Sequence, residues 1–246
     1  MSFSIRAALA AALVCLASPA LAADHAGHGD HVGHDPHAGH AMAPADHAGH
    51  TMASPDEMRK RMMKWIPAAE AKVGAKVDPN LSFVDQEGKK RTLGEFFDKP
   101  LIVTFVFTEC PHICPTILTN LQKRVAAARA AHGDAFRVLT VSFDTKDDLP
   151  ATMKQYGAGF TDDFADWSFG VAEADSVAAL TGAFGFSFMA HPEEKWAHIT
   201  MVTAVDKGGV VARQIFGTKV PEEEFNETLG NLLGAPHAGH GAHSGH

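Results

Sequence analysis

Cysteine is scarce in this chain: among 246 residues only Cys15, Cys110 and Cys114 carry a thiol. So few exclude a disulfide scaffold. Positive charge is also in short supply, with 21 lysines and arginines against 29 aspartates and glutamates and a formal net charge of -8. That balance excludes the basic footprint of a nucleic-acid partner. Beyond residue 22 no run is long and apolar enough to span a bilayer, so no stable membrane span is expected once a leader is removed.

The leader itself is legible. Arg6 precedes the apolar run AALAAALVCLA, and the triplet Ala20-Leu21-Ala22 offers a small-residue cleavage site, so residues 1–22 read as a Sec-type signal peptide. Cys15 lies inside that run behind Leu13-Val14, a poor lipoprotein box, and is discarded with the peptide. The expected location is periplasmic or otherwise exported, an oxidising compartment. The mature chain then keeps two cysteines, both in the segment TECPHICPT at residues 108–116.

What the chain has in abundance is histidine, sixteen in all, and most of it lies in two tails. His25, His28, His31, His34, His37, His40, His47 and His50 fall within 23–56, a low-complexity segment of His, Gly, Ala, Asp and Pro with too few bulky apolar residues to offset the entropy of folding. It is expected to lack fixed structure without metal. His237, His240, His243 and His246 occupy the second tail, 235–246. Imidazoles recurring every third residue on a Gly-rich backbone suit copper, zinc or nickel, and the interleaved Met42 and Met52 add thioethers that favour Cu(I). Mild acid would protonate many of these rings.

Residues 57–76 read as a linker, loosely amphipathic until Pro67, in which Met58, Met62 and Met63 are additional soft atoms. From 77 to 234 the pattern is that of one folded domain. A hairpin over 81–93 leads to the apolar run 101–107, expected as a central strand covered on both faces. A helix with Pro115 in its first turn, a strand over 136–143, a helix over 149–156, a strand over 167–171 and a helix over 173–184 follow. Strands 199–205 and 210–216 are joined by Asp206-Lys207-Gly208-Gly209, and a helix over 221–233 ends at Gly234. This order predicts an α/β domain of thioredoxin-like arrangement, a central mixed sheet flanked by helices.

In such a domain Cys110 ends the central strand and Cys114 begins a helix, at the carboxyl edge of the sheet where ligand sites gather. The helix amino terminus favours the thiolate form. Three intervening residues still allow a disulfide, and they also let two thiolates face one metal ion. Of the four histidines outside the tails, His132 follows the long helix and complements its dipole, His112 lies inside the cysteine loop, and His191 is a reserve ligand. His198 ranks first as the third ligand, because it opens the expected strand 199–205 directly after the loop GFSFMAHPEEKWA. Two chemistries stay open: metal binding, or thiol-disulfide exchange in which Cys110 attacks and Cys114 resolves. A peroxidase is disfavoured, because no arginine lies close in sequence to either cysteine.

TECPHICPT, followed by VSFDTKDDLP and a loop ending in WAHIT, resembles the Sco/SenC family of thioredoxin-like copper proteins over about residues 77–233. Thr108, Cys110, Pro111, Cys114, Pro115 and Thr116 match the family motif T-x-C-P-x-x-C-P-T. The resemblance implies that Cys110, Cys114 and His198 bind one copper ion, Cu(I) or Cu(II). It further implies delivery of copper to, or reduction of cysteines in, the Cu(A)-bearing subunit of cytochrome oxidase. Another periplasmic copper protein is the other expected recipient, and a thiol reductant the other expected partner. The chain departs from the family pattern at His112, usually acidic, at Ala197, usually aspartate, and at Asp147, usually arginine, which points to a divergent member serving copper homeostasis more broadly.

Overall fold

The computed structural model describes residues 54–234. The expected signal peptide, the His- and Met-rich candidates from His25 to Met52 and the tail candidates from His237 to His246 lie outside the described residues. Helices α1 (Pro55–Met62) and α2 (Trp65–Glu70) lead into a hairpin of β1 (Ser82–Asp85) and β2 (Lys90–Thr92). After a 3-10 turn come β3 (Leu101–Val106), α3 (Ile113–His132), β4 (Arg137–Ser142), α4 (Pro150–Gly157), β5 (Trp167–Ala172) and α5 (Val177–Ala183). A second hairpin, β6 (Phe188–His191) and β7 (Lys195–His198), precedes β8 (Met201–Val205), β9 (Val211–Phe216) and α6 (Glu222–Leu233).

The main sheet has the order β2-β1-β5-β4-β3-β8-β9. Its centre is parallel, β3 on β4 and β4 on β5, while β8 and β1 join antiparallel on either side. The α3 and α4 crossovers supply the cover that a parallel centre requires, and every residue of β3 and β5 is buried. The mixed sheet flanked by helices is thus as expected. Seven phenylalanines, Phe83, Phe96, Phe136, Phe143, Phe169, Phe184 and Phe225, are fully enclosed. Among the described residues no helix is long and apolar enough to cross a membrane.

Three segments differ from the sequence expectation. The loop expected over 185–197 contains β6 and β7, a two-stranded sheet of its own, so His198 closes β7 opposite Phe188 instead of opening β8. Packing of Phe188 against Trp196, ring centroids 5.5 Å apart, holds the two short strands together although the turn between them carries no glycine. The helix expected from Glu173 begins at Val177. Glu173 is drawn away from it by Ser82 Oγ, at 2.6 Å, and Lys90 Nζ, at 3.0 Å.

The third difference is the expected linker. Helix α1 opens at Pro55 with a capping box in which Ser54 and Glu57 exchange hydrogen bonds. Pro67 sits at the third position of α2, where its missing N–H would find no partner within the helix. Ala69 is fully buried, and Lys76 bridges to Val210, so the folded domain starts earlier than residue 77. Gly185 makes this possible: its φ is +71°, and a Cβ there would lie 2.6 Å from Ala69 Cα. Gly185→Ala is therefore expected to cost about 3 kcal/mol, since backbone atoms cannot swing aside. Urea unfolding checks it, and a loss below about 0.5 kcal/mol would mean that α2 does not pack against this turn.

Candidate metal centre

Thr108 to Cys114 form the loop between the end of β3 and the first turn of α3. The loop is held from below by a buried carboxylate. Asp148, 2% exposed, accepts the Thr108 backbone N–H at 3.0 Å as well as the hydroxyls of Thr108 and Ser142. No cation pairs with Asp148 among the described residues, so these donors carry the whole task of stabilising its charge. Because Ser142 ends β4, the knot ties the cysteine loop to the neighbouring strand.

The two sulfurs differ in seating. Cys110 is 7% exposed and lines a cavity of about 560 Å³, whereas Cys114 is 1% exposed. Both are free thiols. The Cys114 backbone N–H, one of the unpaired donors at the amino end of α3, donates to Cys110 Sγ at 3.3 Å. The hydrogen bond from the Cys114 thiol, together with those from His198 and the backbone of Cys114 and His112, outweighs burial and pulls Cys110 down to about 3. The same Cys110–Cys114 contact and deep burial push Cys114 well above an ordinary thiol. The contact thus favours the thiolate on the cavity-lining Cys110 and the proton on the buried Cys114.

His198 reaches this pair from the end of β7. Its ring is boxed by Phe107, Phe143 and Phe186, with centroids 5.8, 5.5 and 5.9 Å away. Its Nδ1 lies 2.9 Å from the Ile199 carbonyl oxygen, an acceptor that makes this nitrogen a donor and fixes the orientation of the ring. The residue before it, Ala197, is buried and has no polar atom to offer, so a backbone carbonyl supplies the acceptor that the resemblance led one to seek in an aspartate. One ligand atom from each of Cys110, Cys114 and His198 lies within 4.8 Å of the other two.

The other histidines stay apart from that group. His191 Nδ1 accepts the backbone N–H groups of Glu193 and Glu194 at 3.3 and 3.2 Å and so stabilises the hairpin turn. His112 stands at the N-cap position of α3 without a side-chain capping bond, exposed on the cavity wall, and His132 is exposed at the far end of the helix. Met62, from the end of α1, lines the same cavity as Cys110. A second group, Glu109, Asp144 and Asp147, surrounds the Lys195 ammonium, which lies 2.6 Å from Asp144 and 2.6 Å from Asp147 and also bonds Glu109. Burial works against the Lys195 charge, but the three carboxylates more than compensate and raise it above an ordinary lysine. Position 147, where the resemblance led one to expect arginine, carries an aspartate that pairs with Lys195. The aromatic box, the Ile199 carbonyl and the Lys195 cage are not readable from sequence spacing. The Asp148 knot left a trace, since Ser142 and Asp148 both match the family segment.

The SCO1/SenC family model matches residues 69–233, most of the chain. The chain belongs to the SCO1/SenC family. A SCO1 protein homolog of Bacillus subtilis is 30% identical over 96 residues, 38% of this chain and 47% of that protein, so the matched stretch spans about half of that relative. BsSco, described as a member of the Sco family of cytochrome c oxidase assembly proteins and as having a disulfide switch, superposes with a TM-score of 0.56 at 21% identity, covering 66% of this chain and 95% of the other. Bradyrhizobium japonicum ScoI with copper bound gives 0.53 at 23% identity, covering 65% and 99%. At these identities the two structures establish the thioredoxin-like Sco fold.

Two measurements test this geometry. Asp148→Ala leaves three donors, two on half-buried Thr108 and one on buried Ser142, without an acceptor and is expected to cost about 3 kcal/mol in urea unfolding. In the reduced protein, the iodoacetamide reactivity of Cys110 is expected to stay level from pH 8 down to about pH 5 and to fall only on approach to its low pKa, because the thiolate is the nucleophile. A steady tenfold fall per unit below pH 8, the behaviour of an ordinary thiol, would contradict the seating of the single proton on Cys114.

Proposed function

We propose that this SCO1/SenC protein binds one copper ion between Cys110, Cys114 and His198 in an exported compartment and passes it to a recipient protein. The observation that carries the reading is the convergence of two thiols and an oriented imidazole within 4.8 Å at one edge of the sheet. Two soft sulfurs and one nitrogen suit Cu(I), which accepts two or three ligands, better than zinc, whose structural sites require four. Because the contact between the sulfurs favours the thiolate on Cys110, a metal entering the pair displaces chiefly the proton of Cys114.

Family membership and the copper-bound relative from Bradyrhizobium support this reading, and the described role of BsSco supports a recipient in cytochrome oxidase assembly, the Cu(A)-bearing subunit. Another periplasmic copper protein is the second candidate recipient, and the His- and Met-rich tails would favour that broader role by collecting copper, zinc or nickel. The apolar leader and its small-residue cleavage site support export to the periplasm.

A second reading, thiol-disulfide oxidoreductase, is favoured by one observation: Cys110 is at once the charged thiol and the one that lines the cavity. His198→Ala separates the two. Cu(II) held by thiolates is followed through its intense thiolate-to-copper charge-transfer absorbance, which the imidazoles and thioethers of the tails do not match. The variant is expected to lose copper affinity by about 100-fold or more, while exchange with a small aromatic disulfide persists. Equal copper affinity in wild type and variant would overturn the three-ligand site, and loss of exchange alone would favour the oxidoreductase.

A further inference from the structure

The β6–β7 hairpin that delivers His198 is not part of the main sheet. Its base packs through Trp196 and Phe188 on Phe143, and the Ile199 N–H donates to the Ser187 carbonyl. Its tip is fastened differently. Among the described residues, the ion pairs that join the hairpin to the rest of the domain are those of Lys195, to Glu109, Asp144 and Asp147. Glu109 immediately precedes Cys110, and Asp144 and Asp147 belong to the loop whose Asp148 holds Thr108. Asp144 is 1% exposed and also accepts the Trp196 indole N–H at 3.1 Å. One ammonium therefore grips both loops that build the cysteine site, three residues along the strand from His198.

The backbone at this point is strained toward that end. Lys195 has φ +63°, and among the described residues it alone adopts a positive φ without being glycine. A lysine is a poor choice for a left-handed turn position on conformational grounds. Its three carboxylate partners explain its presence there.

We propose that Lys195 is a positioning residue: by clamping the hairpin tip to Glu109, Asp144 and Asp147 it sets where the His198 imidazole stands relative to the two sulfurs. This rests on the reading of His198 as a copper ligand. The clamp is electrostatic and needs a positive charge, so a neutral side chain of similar length breaks it. Loss of the clamp frees the tip, and the imidazole then samples positions outside coordinating reach while both sulfurs remain fixed by α3 and the Asp148 knot.

The test uses full-length protein carrying Lys195→Gln or Lys195→Arg. Two readouts are taken: the rate at which EDTA strips thiolate-bound Cu(II), and the hydrogen exchange of residues 188–198 in the metal-free protein. K195Q is expected to lose copper at least about tenfold faster and to exchange hairpin amides faster, with K195R restoring most of both. Copper loss at the wild-type rate from K195Q overturns the proposal, as does unchanged hairpin exchange. Should K195Q fail to fold, the double variant E109Q/D147N, which alters only two exposed partners, decides by the same two readouts. If wild type itself shows no thiolate-copper absorbance, the copper reading falls, and the hydrogen-exchange readout still decides whether Lys195 holds the hairpin.

Discussion

The in-register parallel pairing of β3 with β4 is the constraint from which the site follows. Leu101 faces Arg137 and Val106 faces Ser142 without a shift, so the two strands end level with each other. Their outgoing loops then leave the sheet side by side. One carries Thr108, Glu109 and Cys110, the other Asp144, Asp147 and Asp148. A slip of one residue would turn Ser142 to the opposite face of the sheet and part its hydroxyl from Asp148. The apolar core, buried throughout β3 and nearly throughout β4, is what forbids that slip.

On this level edge the chain solves two problems with different forces. The cysteine pair is fixed locally, by the amino end of α3 and by neutral donors around a buried carboxylate. The imidazole comes from a hairpin far along the chain and is fixed by aromatic walls, a backbone carbonyl and one ammonium among three carboxylates. Local fixation makes the sulfurs rigid partners of each other. Distant fixation gives the imidazole restraints of its own, of which Phe107 and the Glu109–Lys195 pair are shared with the segment that carries Cys110.

Much of this was legible in the sequence. The apolar run 101–107, the helix after Pro115 and the glycine-rich turn at 206–209 each carry a periodicity or a turn residue that only one local structure satisfies. The convergence of Cys110, Cys114 and His198 was accessible through the motif TECPHICPT and its resemblance. What escaped had no local signature. The hairpin 188–198 is held by Phe188 against Trp196 and by Lys195, tertiary contacts that no window of neighbouring residues reveals. The start of α5 was misplaced because Glu173, a sound residue for a first helical turn, has better partners on β1 and β2. The stretch 57–76 looked like a linker because its burial depends on one alanine fitting against a distant glycine.

The unequal seating of the two sulfurs bears on how an oxidised pair would be reopened. An incoming thiol reaches the Cys110 sulfur through the cavity, so Cys114 has to be expelled as the leaving group. Burial holds its proton affinity high, and a thiolate of high proton affinity departs slowly. A bond closed between these cysteines is thus guarded kinetically by the depth of the second sulfur, and its reopening belongs to a reductant able to press into the cavity.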